Sequence, residues 1–259
     1  MKELNIDDIH RILLDMAKSI HRICEENGLT YYLAYGSLLG AVRHKGFIPW
    51  DDDLDIYVPV NQYNNFIYVM EKKLSPPYYC STYKSNEACV TPYAKIENRQ
   101  TCIHDLRSKL PLEKQMGINI DVFPLMYCDK KETAIKVRRL LLFKRTLFTE
   151  NADGNRWKGY MKSLLRLIYW KKESDLSDKF WDIVNSSRGS KYLVSFGAMD
   201  DRDFLSPDIF GIPVLVDFEN TKLNGIAKPH EYLSQMYGDY MNPVPRPPHA
   251  TGVYLKDDC

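Results

Sequence analysis

The order of the predicted elements indicates an α/β or α+β sheet domain that carries a helical insertion, and α+β is the class we expect. Apolar residues between positions 6 and 23 recur every three or four residues, which is typical of an amphipathic helix. Polar and apolar residues alternate over 53–58, as they do in a half-buried strand. Residues 129–187 then change to a helical pattern with many leucines and basic residues.

The first helix is predicted from one apolar stripe, which consists of Ile6, Ile9, Leu13, Met16, Ile20 and Ile23. Asn5 or Asp7 can cap its first turn, because a short polar side chain there accepts hydrogen bonds from free backbone N–H groups. Asn27 and Gly28 are typical of a helix end.

After the first helix, the sequence predicts a strand, a break, a short helix and a second strand. Residues 31–35 predict a short strand rich in aromatic residues, which ends at Gly36 and Ser37. Residues 38–42 then predict one or two helical turns, and 53–58 predict the second strand.

The remaining elements follow from the same patterns. Strands are predicted at 78–83, 93–96, 101–104, 118–123, 194–196 and 213–218, and helices at 61–74, within 129–187 and at 228–240. Pro76 and Pro77 stop the helix at 61–74, and the proline-rich segment 243–248 must be extended.

Composition excludes some classes of function. The formal charge of +1 over 259 residues gives no reason to expect nucleic acid as a partner. The six cysteines show no zinc-like spacing, and no run of apolar residues is long enough to span a membrane. The N-terminal residues are too acidic for a secretion signal, so we expect a cytoplasmic protein, with peripheral contact at the inner face of the membrane as a further hypothesis.

The most informative segment contains clustered aspartates at 51–55. On a strand, Asp51, Asp53 and Asp55 project to the same face, where their charges repel one another unless a cation lies between them. Hard oxygen ligands select Mg²⁺, Mn²⁺ or Ca²⁺ over Zn²⁺, and Mg²⁺ also leaves coordination places for phosphate oxygens, so we expect Mg²⁺, with Mn²⁺ as an alternative. The other interpretation is that these aspartates are solvated loop residues, but Trp50 and Leu54 place them in an apolar context.

Two further features support phosphoryl chemistry. Gly36 and Ser37 precede a short helix, where backbone N–H groups and a hydroxyl can receive a phosphate. Asp121 shares a predicted strand face with Asn119, so it is expected to complete the metal site or to act as a general base. The alternative for Asp121 is a buried carboxylate bonded to backbone donors.

Three segments of this chain resemble the LicD family, whose best-known members are described as phosphocholine transferases. They are residues 35–56, residues 120–125 and residues 237–241. The resemblance implies an α+β, nucleotidyltransferase-like mixed sheet flanked by helices. It also implies a similarity to the catalytic region of fukutin-related ribitol-phosphate transferases.

By this resemblance, Asp53 and Asp55 are the metal-binding pair and Asp121 is the third carboxylate. The implied reaction moves a phospho-alcohol, most often phosphocholine, from a CDP-linked donor to a hydroxyl of a glycan or its lipid-linked precursor, with CMP as the leaving group. Lipopolysaccharide and teichoic acid are glycans of this kind. The resemblance also implies a single catalytic domain over 1–259.

Several residues are candidates for binding substrate. Arg43 lies within the matched motif, while Lys95 and Arg246 are basic residues that can hold phosphate. Asp51 extends the aspartate alternation, and His249 can bind phosphate or donate a proton. Each of these basic residues is also explicable as an ordinary surface charge. Choline would need an aromatic cage, which the sequence does not identify.

The predicted insertion, 129–190, is strongly basic. Residues 129–172 contain 13 basic and four acidic residues, whereas the rest of the chain has 22 basic and 30 acidic residues. Such a segment either docks on an anionic membrane or packs on the sheet with a solvated face. Salt-sensitive binding to anionic vesicles distinguishes the two.

Three other functions use the same residues. A nucleotidyltransferase would pass NMP from an NTP to a hydroxyl and release pyrophosphate. A glycosyltransferase would use the aspartates to hold Mn²⁺ beside a sugar nucleotide. A non-catalytic module would bind nucleotide without turnover.

Overall fold

The computed structural model describes residues 1–106, 108, 110–148, 173–196, 200–243 and 252–256. The helices in these ranges are α1 (Ile6–Glu26), α2 (Tyr35–His44), α3 (Val60–Lys73), α4 (Lys131–Phe148), α5 (Glu173–Ser186), α6 (Pro207–Phe210) and α7 (Pro229–Tyr237). The strands are β1 (Lys2–Glu3), β2 (Tyr32–Leu33), β3 (Leu54–Pro59), β4 (Tyr78–Ser81), β5 (Lys95–Asn98), β6 (Thr101–Ile103), β7 (Asn119–Cys128), β8 (Tyr192–Val194), β9 (Phe204–Leu205), β10 (Val214–Phe218), β11 (Thr221–Gly225) and β12 (Val253–Leu255).

The main sheet is mixed. Its order is β2-β3-β7-β5-β4, with β8 paired to the far end of β7 and β9 paired to β8. β3 and β7 run parallel, and the other pairs in this sheet are antiparallel. β1, β12 and β6 form a small second sheet, and β10 with β11 forms a hairpin. The expected α+β class is confirmed.

Helix α1 forms as its sequence predicts. The side chain of Asn5 accepts a hydrogen bond from Asp8 N at 2.9 Å, and Asn27 caps the other end. The predicted apolar stripe is almost entirely buried, and Leu13 and Met16 have no exposed surface. Ala17 and Ile20 of α1 lie against Ile56 of β3, so this helix covers one face of the sheet.

The central strands alternate between two faces. On β3, Leu54, Ile56 and Val58 are buried in the main core, while Asp55 is only partly buried. On β7, Ile120 and Val122 belong to the same core, whereas Asp121 between them lies on the opposite face of the sheet. The sheet therefore has an apolar face against the helices and a face that bears acidic groups.

Several boundaries differ from the prediction, and those around α2 matter for the site. Helix α2 begins at Tyr35, so Gly36 and Ser37 lie within its first turn rather than between a strand and a helix. Ala34 is the extended residue before it, and Leu38 N donates to Ala34 O at 3.1 Å. Strand β2 is consequently only two residues long.

The aspartate segment also differs from the prediction. β3 begins at Leu54, so Asp51 and Asp53 lie before the strand and do not continue its alternation. A turn places them there: Asp51 N donates to Ile48 O at 2.9 Å, and His10 Nε2 lies 2.6 Å from Asp51 O. Pairing of this segment with β7 begins only at Leu54.

Helices α4 and α5 pack together beside a smaller apolar core that contains Val137, Phe180 and Val184. Their side chains also hold the loop that leads into β5. Lys144 Nζ donates to Val90 O, and Trp181 Nε1 donates to Pro92 O at 2.7 Å. The helical character predicted over 129–187 is confirmed for α4 and α5, and residues 149–172 lie outside the described residues. The status of this segment as an insertion into a single domain stays a prediction.

Some elements had no clear sequence signal. β11 consists of Thr, Lys, Leu, Asn and Gly, and only Leu223 and Gly225 of these residues are buried. It forms because it pairs with β10, which was predicted. Most of the proline-rich segment 243–248 lies outside the described residues. In the described part of the chain, no helix has the length and apolar character needed to cross a bilayer.

Candidate active site

Three charged side chains form a row across the middle of the main sheet. Asp55 on β3 is in register with Asp121 on β7, and Asp121 is in register with Lys95 on β5. Directly opposed residues on neighbouring strands place their side chains on the same face, with strands about 4.8 Å apart. Asp55 and Asp121, which are 66 positions apart in the sequence, are therefore neighbours in the sheet. We refer to Asp55, Asp121 and Lys95 as the charged row.

Aromatic rings lie beside the charged row on the same face. Tyr57 and Phe123 follow Asp55 and Asp121 by two residues and are in register with each other. The ring of Tyr93 lies 4.5 Å from that of Phe123. Burial, and then the charges of Asp121 and Asp55, hold the pKa of Tyr93 well above its usual range. The charged row therefore lies against a largely dry aromatic surface.

Lys95 is paired rather than exposed. Its Nζ contacts Asp121 Oδ1 and donates to Asn119 Oδ1 at 2.9 Å. The side chains of Lys95 and Asp121 are 17% and 21% exposed, so much of this pair is shielded from water. Desolvation is the largest effect on the pKa of Lys95 and lowers it, but the charge and hydrogen bond of Asp121, with smaller effects of Cys89 and Asp55, together raise the pKa.

Asp55 is in an electrostatically unfavourable position. Burial raises the pKa of Asp55 well above its usual range, and the nearby charges of Asp53, Asp121 and Asp51 raise it further. Lys95 lowers that pKa but does not compensate for the other effects. A buried carboxylate among other carboxylates is the environment in which a bound cation gives the largest gain.

Ser37 connects the first turn of α2 to this carboxylate. Its side-chain oxygen accepts a hydrogen bond from Asp55 N at 2.7 Å, and the residue is only 7% exposed. The hydroxyl was predicted to receive a phosphate. In the structure, this hydroxyl accepts a hydrogen bond from the backbone at the start of β3 and so positions the backbone of Asp55.

We expect Ser37→Ala to destabilise the protein by about 1–3 kcal/mol, because the N–H of Asp55 would lose its acceptor in a buried place. Urea unfolding measures this, with an unchanged slope showing that the same surface is exposed. Ser19→Ala is the control, since that hydroxyl bonds Asp15 O on the outer side of α1. Equal stability of the two variants would contradict a structural role for Ser37.

Asp51 and Gly36 are in close contact. A Cβ atom placed on Gly36 would lie 2.9 Å from Asp51 Oδ2, so a larger residue here would require the Asp51 carboxylate to shift. The structure thus brings Gly36 to Asp51 and Ser37 to Asp55. The two motifs that the sequence places 15 residues or more apart form one site.

The donor set of the site fits a hard divalent cation. The described residues contain no cluster of three or more carboxylate, imidazole or thiol groups already arranged as a metal site. Mg²⁺, however, is usually held by one or two carboxylates, with water and substrate phosphates completing its coordination. Asp55 and the preceding Asp53 supply such a pair, with Asp121 alongside.

Arg43, another candidate residue, contacts other parts of the chain. Arg43 donates from Nη1 to Tyr240 O at 2.9 Å and from Nε to His44 Nε2 at 2.9 Å. It thereby joins α2 to the segment after α7, and burial lowers its pKa. Its predicted contact with phosphate stays a prediction. Arg246 and His249 lie outside the described residues.

The basic segment 129–172 is only partly described. Arg138 Nη1 lies 3.7 Å from Asp201 Oδ1, and Lys131 lies 5.0 Å from the ring of Phe204. Lys144 is buried. These basic side chains on α4 pack on other parts of the protein, and docking of the whole segment on a membrane stays a prediction.

A buried hydrogen-bond network, which no sequence motif predicted, contacts Tyr35 in the first turn of α2. Tyr35 OH donates to Ser195 Oγ at 2.8 Å, which donates to Asp203 Oδ1 at 2.8 Å. Tyr57 OH lies 2.8 Å from Tyr232 OH, which accepts from Tyr35 N at 3.1 Å. These bonds fix Tyr35, whose φ of 41° is unusual for a residue other than glycine. The position of Tyr35 beside Gly36 was its only sequence signal.

The comparisons with known proteins agree with this geometry. Residues 28–152, which contain the whole charged row, match the family model described as LicD/FKTN/FKRP, nucleotidyltransferase domain. The chain is also 29% identical over 272 residues to the lipopolysaccharide cholinephosphotransferase LicD of Haemophilus influenzae, covering 98% of this chain and 100% of that protein. Residues 28–152 are a LicD family domain. The resemblance stated from the motifs is confirmed, and the protein is a phosphotransferase.

Other relatives match over short segments. The human ribitol 5-phosphate transferase FKRP is 40% identical over 55 residues, which is 21% of this chain and 11% of that protein. An uncharacterised protein of Rickettsia prowazekii, RP689, is 50% identical over 44 residues, or 17% of this chain and 16% of the relative. These local similarities support family membership and do not extend to the whole proteins.

Proposed function

We propose that this protein transfers a phospho-alcohol, in the first place phosphocholine, from a CDP-linked donor to a hydroxyl of a cell-surface glycan or its lipid-linked precursor. The name of the Haemophilus influenzae relative supports phosphocholine and lipopolysaccharide, and the name of FKRP supports a related phospho-alcohol. The structural observation that supports the proposal is the register of Asp55 with Asp121 beneath the first turn of α2.

The proposed reaction is a displacement at the phosphorus that bears the alcohol. The acceptor oxygen forms a bond to this phosphorus, while the bond to the bridging oxygen of the pyrophosphate breaks and CMP leaves with that electron pair. The acceptor hydroxyl loses its proton, and Asp121 is the proposed base because it is in register with Asp55 of the metal-binding pair. Positioning of donor and acceptor supplies much of the remaining acceleration.

Asp53 and Asp55 would hold Mg²⁺, or Mn²⁺ in its place, with Asp121 as the third carboxylate. The bound cation would neutralise charge on the pyrophosphate and on the leaving CMP. The role of the chain is to keep the carboxylates in place through β3, β7 and the Ser37 hydrogen bond. Arg43 is proposed to contact the donor phosphates by moving from Tyr240 O, with Arg246 and His249 as further candidates.

The test is release of CMP from separate reactions with CDP-choline, CDP-ribitol and CDP-glycerol, each with Mg²⁺ and cell-envelope glycan as acceptor. We expect CMP from one donor, chiefly CDP-choline, and loss of that activity in Asp53→Ala. Asp217→Asn is the matched control, because Asp217 is an exposed carboxylate on the β10–β11 hairpin. It should retain full activity.

Two results would overturn the proposal. Release of pyrophosphate from a nucleoside triphosphate, with no CMP from any CDP-alcohol, would favour the nucleotidyltransferase. Transfer of sugar from a sugar nucleotide would favour the glycosyltransferase.

A further inference from the structure

Lys95 is a basic group built into the carboxylate site. Its ammonium contacts Asp121 Oδ1, and it also donates to Asn119 Oδ1 at 2.9 Å. Asn119 and Asp121 are two residues apart on β7, so both side chains point to the face on which Lys95 lies. A partly buried ammonium would be costly without such partners.

The backbone around Lys95 is also fixed to β7. Ala94 N donates to Tyr63 OH at 2.9 Å, and Tyr63 OH donates to Val122 O at 2.6 Å. Tyr63 is fully buried in α3, so the same side chain connects the strand of Lys95 with the strand of Asp121. The ion pair therefore joins two strands that are held in place by independent contacts, which distinguishes it from a flexible surface pair.

We propose that Lys95 is a positioning residue whose ammonium acts as a resident cation at Asp121, so that the site binds one divalent cation rather than two. In two-metal sites the ions lie about 3.5–4 Å apart and share carboxylates. An ammonium in contact with Asp121 occupies the side on which a second ion would bind. The inference rests on the metal dependence in the proposed function, and it gives Lys95 a different role from the phosphate contact predicted from sequence.

The proposal makes an unusual prediction about metal binding. Loss of the positive charge at position 95 should make the site more attractive to a divalent cation, because one repulsive charge is removed beside unchanged carboxylates. We expect Lys95→Gln to bind Mn²⁺ at least about tenfold more tightly than the wild type in the absence of donor. Lys95→Arg keeps the charge and should stay within about threefold of the wild type.

The measurement is a titration of each full-length protein with Mn²⁺ alone, followed by the electron paramagnetic resonance signal of the free ion. The wild type should bind one ion. Lys95→Met, which has a similar length and no polar group, provides a second neutral variant in case Lys95→Gln does not fold. Circular dichroism and thermal unfolding establish which variants are folded.

Each alternative gives a different pattern. Two ions in the wild type, or unchanged Mn²⁺ affinity in both neutral variants, would overturn the resident cation. Unchanged Mn²⁺ affinity with a raised KM for the donor would assign Lys95 to phosphate binding instead. Asp55→Asn separates this failure from that of the proposed function: if it binds Mn²⁺ as the wild type does, the metal site itself is wrongly assigned.

Discussion

Asp55→Asn is expected to lower the turnover number by about 10³-fold or more. The substitution keeps the size of the side chain and its place on β3 but removes the charge that would bind the cation. Metal-assisted neutralisation of a phosphoryl transition state is worth several kcal/mol, and each 1.36 kcal/mol is a factor of ten in rate. CMP release under saturating donor and acceptor measures the change.

The same substitution should make the metal-free protein more stable. Because burial and neighbouring carboxylates raise the pKa of Asp55 in the folded state, its contribution to stability is fully present below the unfolded pKa of about 3.9 and is lost as pH rises through the folded pKa. Above the unfolded pKa, the raised folded-state pKa of this carboxyl therefore opposes folding, whereas asparagine carries no such cost. A gain of about 1 kcal/mol would raise Tm by about 2–4 °C in a chain of this size.

Thermal unfolding in chelator, as a function of pH, tests this explanation. The difference in Tm between Asp55→Asn and the wild type should decrease as pH falls towards 4, because the wild-type carboxyl then becomes neutral. Mg²⁺ should raise the Tm of the wild type, and more so at higher pH, but should not raise that of the variant. An Asp55→Asn protein that is less stable than the wild type in chelator would contradict the electrostatic strain at Asp55.

Local patterns in the sequence predicted much of the fold. The apolar stripe of α1 and the alternation over β3 each express the period of one element, and both lie where they were expected. The end of a regular pattern was harder to predict. Asp51 and Asp53 continue the alternation in the sequence, but β3 begins only at Leu54, after the turn at Ile48 and the His10 contact with Asp51.

The geometry of the site depends on contacts between distant parts of the chain. The sequence pattern suggested Asp121 as a third carboxylate. Its register with Asp55, however, depends on the parallel pairing of β3 and β7, which are separated in the sequence by β4, β5 and β6. The partner of Lys95 and the bond between Ser37 and Asp55 have the same origin. Periodicity and motif spacing contain no information about such pairings, because they result from how the elements pack.

The buried network of Tyr35 illustrates a further limit. Ser195 and Asp203 lie 160 and 168 residues from Tyr35 and belong to no motif that the sequence analysis identified. Their hydrogen bonds satisfy polar groups that would otherwise be costly in the interior. They hold the strained residue immediately before Gly36, so a part of the chain without recognisable motifs contributes to the geometry of the most recognisable one.

Gly40→Ala is expected to lower both stability and activity, although alanine is the better helix former. In an unobstructed helix this change stabilises by about 1 kcal/mol. In α2, however, an added Cβ would overlap the carbonyl oxygen of Gly46 and lie 3.2 Å from Ile48 N. Because both contacts are with backbone, a side-chain rotation cannot relieve them. Overpacking of this kind costs about 1–3 kcal/mol and should exceed the helical gain.

The effect on activity follows from where the displaced loop leads. Residues 46–48 cross over α2 immediately before the turn that holds Asp51 and Asp53, so a shift there moves the carboxylates relative to Asp55. A misplacement of about 1 Å in a catalytic group can cost about 10²-fold in rate. Ser234→Ala, at an exposed position of α7, tests helical propensity alone and should leave CMP release unchanged. Measured well below its Tm, Gly40→Ala should therefore show a kcat about 10²-fold lower, and a variant as active and as stable as the wild type would show that the close approach of this loop to α2 is not required.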